Sequence, residues 1–126
     1  MYIGVGRVYI YIPESRSLKD RRKVVKSLCS KIENRFNVSI SDVGEDLTLK
    51  KEVEIGFSVV SNNETHAKVM LESIIEFIEE RCNCEIQHYD IEVISGDMLF
   101  GNLCFKNKEE LYYEKEWPIK VDKNYR

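Results

Sequence analysis

Two hydrophobic periods alternate along this chain, and their order restricts the fold more than any other feature. Residues 3–12 (IGVGRVYIYI) have a period of two: Val8, Ile10 and Ile12 face one way, Arg7, Tyr9 and Tyr11 the other. β-Branched and aromatic residues in that pattern predict a half-buried strand, and Pro13 ends it. From Ser17 the period becomes helical, with Leu18, Val25, Leu28, Cys29, Ile32 and Phe36 on one stripe. Ser17 and Asp20 have the spacing of a capping box, which puts a carboxylate at the positive end of the helix dipole. Alternation returns at residues 37–43 (NVSISDV) and again, after a polar stretch at 44–51, at residues 52–61 (EVEIGFSVVS). Asn62 or Asn63 then caps a second helix, whose stripe is Ala67, Met70, Leu71, Ile74, Ile75 and Ile78. Residues 85–94 complete the series, with Tyr89, Ile91 and Val93 on one side.

The order β-α-β-β-α-β predicts an α/β sandwich of the ferredoxin-like kind. Four antiparallel strands form one sheet, right-handed crossovers put both helices on one face, and the other face stays open. Residues 1–96 make up this domain, and residues 97–126 are a C-terminal extension. Within the extension, residues 107–117 (NKEELYYEKEW) read as a short helix stopped before Pro118. At 126 residues the chain has room for one core. No apolar run approaches the ~20 residues that a membrane span needs, and residues 1–13 read as a strand rather than a leader. These readings predict a cytoplasmic protein with no membrane partner. Its cysteines, Cys29, Cys82, Cys84 and Cys104, are then expected to stay reduced.

Charge is distributed unevenly over this plan. The whole chain has a formal net charge of −3, yet residues 13–36 carry eight Lys or Arg against three acids. Residues 37–96 carry four against thirteen. Lys19, Arg22, Lys23 and Lys26 share one face of the first helix, next to Arg16. Arg21 instead projects near the apolar stripe, where its head group needs a partner. Together Arg16, Lys19, Arg21, Arg22, Lys23 and Lys26 are the candidate anion or nucleic-acid site. Phosphate contacts of this kind carry affinity with little sequence information. The bland alternative is cross-helix pairing of Lys23 and Lys26 with Glu72, Glu76 or Glu79, as surface ion pairs worth ~0–1 kcal/mol each.

Other residue types suggest weaker sites. Arg7, Tyr9 and Tyr11 on the open sheet face read as a patch covered by a second copy or by the extension. Base stacking there is opposed by Glu52 and Glu54 on the neighbouring strand. Cys82, Cys84 and His88 are zinc-type residues, but no fourth ligand is indicated beyond the distant His66 and Cys104. The expectation is therefore a structural thiol pair, with no metal and no cofactor. His66 reads as a capping or core-edge histidine. An enzyme would need a deep pocket with convergent polar groups, around Arg21 and His66 for instance, and no catalytic constellation is evident. Gly4 and Gly6 lack the third glycine and following helix of a dinucleotide site, and read as a closely approached strand.

Three stretches, IPESRSLKDRRKVVKSL, NRFNVSISDVG and VVSNNETHA, resemble the YlxP-like family of small bacterial proteins of unknown function. The resemblance runs over roughly residues 1–95 and implies a ferredoxin-like fold. Family genes often sit among those for translation and ribosome maturation, which implies a role near the ribosome or RNA. The family supplies no catalytic residues to carry over. The extension lies outside the resemblance. Two functions stay open on this reading: a non-enzymatic binding module that uses the basic helix on RNA or the ribosome, and a self-associating protein dimerised through its open sheet.

Overall fold

The computed structural model describes residues 1–44 and 52–101. The helix expected at 107–117 lies outside the described residues. Alternation in the sequence becomes β1 (Tyr2–Tyr11), β2 (Ser39–Asp42), β3 (Glu52–Ser61) and β4 (Glu85–Ser95). The helical stripes become α1 (Leu18–Arg35) and α2 (Glu64–Arg81), and a short α3 (Gly96–Phe100) follows β4 directly. The strands form one sheet in the order β2-β3-β1-β4, every neighbouring pair antiparallel. Each helix therefore crosses between two parallel strands with a third threaded between them, which is the ferredoxin-like α+β arrangement.

One face of that sheet is dry. Val8, Ile10, Val53, Ile55, Phe57 and Val59 meet Val25, Leu28 and Ile32 of α1 and Ala67, Leu71, Ile74, Ile75 and Ile78 of α2 in a single cluster. Each fully buried side chain of this size contributes about 1.5–3 kcal/mol, so packing rather than helix propensity holds α1 and α2 in place. Gly4 and Gly6 are buried on this face of β1. A Cβ on Gly6 would run into the Phe57 ring, and one on Gly4 would come within 2.7 Å of Val59. The two glycines are thus close-approach positions, as the sequence suggested.

β4 carries the one irregularity in the pairing with β1. Tyr9 lies opposite His88 but Ile10 opposite Ile86, leaving Gln87 as the extra residue of a bulge. The bulge lets Ile86 pack on the core while His88 faces the open side beside Tyr9. Tyr89, Ile91 and Val93 lie opposite Val8, Gly6 and Gly4, on the core side as expected. Tyr89 stays 45% exposed there, at the rim of an edge strand. At the end of β4 the Gly96 N–H donates to the Met1 carbonyl at 2.8 Å, which fixes the start of α3 against the start of β1. Among the described residues, no helix is long and apolar enough to cross a membrane.

Candidate functional site

The basic surface starts at a capped helix end. The Ser17 hydroxyl accepts from the Asp20 N–H at 3.1 Å, and the Asp20 carboxylate accepts from the Arg16 N–H at 3.3 Å. The cap and the buried stripe together fix the rotation of α1. With Val25, Leu28 and Ile32 inward, Lys19, Arg22, Lys23 and Lys26 are turned to solvent, and Arg16 before the helix is exposed too. Among the described residues, no ion pair joins Lys23 or Lys26 to Glu72, Glu76 or Glu79. The cross-helix pairing that would have neutralised this face does not form.

The surface extends further than the sequence grouping suggested. Lys19, Lys23, Ser27, Lys31 and Arg35 recur every four residues and form one row along α1, with about 6 Å of rise per step. Lys23, Ser27 and Lys31 line a groove of about 430 Å³. Across it, Arg81 at the end of α2 contributes another cation, together with Cys82 and Asn83. Two carboxylates, Glu14 and Asp20, line the same groove. Arg81 of the lining and Arg35, which is outside it, lie over the same aromatic ring. Arg35 is 5.5 Å and Arg81 5.8 Å from the centre of the Phe77 ring, and Phe77 meets Phe36 edge-on at 5.9 Å. Such cation–π contacts orient guanidinium groups while leaving their charge available. Lys31 and Arg35 were legible as the continuation of the Lys19–Lys23 row. Arg81 was not, because only the packing of α2 brings it to this groove.

Arg21 does not belong to this surface. It is 2% exposed, and one terminal nitrogen lies 3.5 Å from a carboxylate oxygen of Asp42. Its Nε is buried without a hydrogen-bond partner. Position 21 falls on the inward stripe, so the helical rotation that exposes Arg22 and Lys23 buries Arg21 against β2. Asp42 supplies the partner that burial demands, and it also accepts from the Gly44 N–H at 3.1 Å through its other oxygen.

The open sheet face is polar at its centre. Arg7 donates through Nε to Asp90 at 2.8 Å, and its guanidinium lies 5.7 Å from the centre of the Tyr9 ring. Asp90 also meets His88 Nε2 at 3.1 Å. The Arg7 hydrogen bond holds the Asp90 carboxyl below its ordinary value, and a hydrogen bond to Glu54 holds the Tyr9 hydroxyl above its own. Tyr11 is half-buried opposite Glu52 and Glu85. Met1, Val5 and Val60 are exposed apolar side chains toward the opposite end of the sheet, and Met1 lies against Gly96 at the start of α3.

The cysteine–histidine grouping does not converge. His88 turns to Asp90 and Tyr9, while the Cys82 and Cys84 sulfurs are joined in a disulfide across Asn83. The expectation that these two cysteines stay reduced is therefore corrected. Cys29 is free and half-buried, and burial pushes its thiol up. Among the described residues, no group of three His, Cys, Asp or Glu could hold a metal ion. His66 is neither a cap nor a core-edge residue: it is exposed, Asn63 is the cap and its Oδ1 accepts from the His66 backbone N–H at 2.9 Å, and the His66 Nδ1 meets the Ser61 hydroxyl at 3.2 Å. No hydrogen bond or ion pair joins it to Arg21 among the described residues.

With this geometry in place, four similarities can be set beside it. A family described as protein of unknown function (DUF503) matches residues 3–91. The uncharacterized protein YlxP of Bacillus subtilis (strain 168) is 31% identical over 77 residues, covering 61% of this chain and 83% of YlxP. Among solved structures, the de novo designed protein LFR1 1 with ferredoxin fold is 14% identical, covers all of this chain and 99% of its own, and superposes with a TM-score of 0.44. The de novo designed protein Foldit4 is 15% identical, covering 75% of this chain and 98% of its own, with a TM-score of 0.43.

Proposed function

We propose, from the premise that this chain belongs to the DUF503 family of unknown function, that it is a non-enzymatic cytoplasmic module that binds RNA, on the ribosome or in its assembly. The docking surface is the cationic row of α1 with Arg81 across the groove. The observation that carries this reading is that Lys19, Lys23 and Lys26 stand exposed on α1, and that among the described residues no ion pair joins Lys23 or Lys26 to Glu72, Glu76 or Glu79. A helix face whose lysines meet no carboxylate among the described residues is suited to an external polyanion. Glu14 and Asp20 line the groove too and oppose a polyanion, so this reading assigns the phosphate contacts to Lys23, Lys31 and Arg81.

The test is equilibrium binding to purified ribosomal subunits and to structured RNA at low and moderate salt, with K19A/K23A/K26A/K31A beside the wild type. The reading expects binding that weakens with salt and disappears in the variant. Each lost contact to a single strand lowers the salt slope by about 0.7. Equal and negligible binding by both proteins refutes it. Sedimentation of the same samples then examines the second reading, self-association through the open sheet, which rests on exposed Met1, Val5 and Val60.

A further inference from the structure

We propose that Cys82 and Cys84 form a reversible dithiol–disulfide site that exchanges with low-molecular-weight thiols and disulfides. The site does not depend on the groove binding RNA. A single residue separates the two cysteines, and their Cα atoms are 5.1 Å apart, a distance a disulfide accommodates without backbone movement. Closing so short a loop restricts the unfolded chain very little, so the bond adds little as a staple. The backbone it spans is held already. Cys82 caps α2, its N–H donating to the Ile78 carbonyl at 3.1 Å, and β4 begins just after Cys84, at Glu85. Both cysteines are only half-buried, and a bond that adds little to the fold and stays open to solvent is of the exchangeable kind.

The surroundings favour thiol chemistry at Cys82. It lines the groove with Lys23, Lys31 and Arg81 and with the carboxylates Glu14 and Asp20, whereas Cys84 is not among the lining residues. A small disulfide entering the groove therefore meets Cys82 first, and the thiolate is the attacking form. Cys29 provides the contrast. It is half-buried, and burial, with Glu33 and Asp42 adding to the effect, keeps its thiol protonated.

The exchange balances as follows. In the reduced protein the Cys82 thiolate attacks one sulfur of a small disulfide. A mixed disulfide forms on Cys82 and one small thiolate leaves. The Cys84 thiolate then attacks the Cys82 sulfur, the Cys82–Cys84 bond forms, and the second small thiolate leaves. The protein loses two protons and two electrons, which reduce one small disulfide to two thiols. The reverse sequence, with two small thiols, restores the dithiol.

The experiment uses the full chain carrying C29S and C104S, equilibrated with reduced and oxidised glutathione over a wide range of ratios and followed by intact mass and peptide mapping. The expected result is one disulfide between Cys82 and Cys84 that forms and opens reversibly with the glutathione ratio in the folded protein. Adding C84S is expected to trap a glutathione adduct on Cys82. Adding C82S instead is expected to give an adduct on Cys84 roughly tenfold more slowly. Peptide mapping of the wild type in parallel gives the same readout if C29S perturbs folding. The proposal is overturned if both thiols stay free at every ratio, or if the bond, once formed, opens only on unfolding. Equal capture by both single-cysteine variants overturns the assignment of Cys82 as the attacking sulfur.

Discussion

The pair of Arg21 and Asp42 makes a sharp energetic prediction, because its two members are not equally buried. Arg21 is 2% exposed and the Asp42 side chain 31%. At 3.5 Å and an effective dielectric of about 20, their gross attraction is roughly 5 kcal/mol. Much of that is offset by the desolvation of Arg21, whose Nε has no hydrogen-bond partner among the described residues. Breaking a fully buried pair from one side costs about 3–5 kcal/mol. Water reaching Asp42 screens the interaction, so D42N is expected to cost about 2 kcal/mol. Asparagine keeps an oxygen for the Gly44 N–H, which isolates the charge. R21M removes the buried cation itself, fills a similar volume and leaves Asp42 at a solvated position. It is expected to change stability by less than about 1 kcal/mol. In R21M/D42N the cost of D42N should largely vanish, because no unpaired charge remains. Urea denaturation followed by far-ultraviolet circular dichroism measures all four proteins. If R21M proves more damaging than D42N, the reasoning fails, and Arg21 stabilises the fold by something other than its charge partner.

Two further outcomes are expected. G6A forces the Phe57 ring aside in a dry core, so it should destabilise by about 2 kcal/mol in the same assay, while an alanine at exposed Ser30 should change little. Asp90 should titrate below the usual carboxylate value of about 3.9, chiefly because of the Arg7 hydrogen bond. The stability this lends is complete above the ordinary carboxylate value and is lost as pH falls through the lowered one. Carboxyl NMR titration of the wild type and R7A measures it, and an unchanged Asp90 midpoint in R7A would contradict the assignment.

Much of this molecule was readable from local pattern, because the determinants were local. Period-two runs marked β1 to β4, and β3 was bounded correctly at both ends since turn-forming polar residues flank it. Ser17 and Asn63 cap as expected, since a cap needs only a side-chain oxygen three residues before a free N–H. Arg21 was placed near the apolar stripe by its helical angle alone, although grouping it with its basic neighbours misassigned its role. The bulge at Gln87 could not be anticipated, because a one-residue slip is decided by the partner strand.

What the sequence by itself determined is the order of strands and helices, the face each buries and the excess of positive charge on α1. Those follow from spacing along one chain. Only the tertiary structure decided which charges meet. It left Lys23 and Lys26 without the acids of α2, among the described residues, and put Asp42 of β2 beside Arg21. It also brought Arg81 of α2 across the groove from Lys31. Charges on different elements interact only at distances set by packing, and packing depends on the whole core at once.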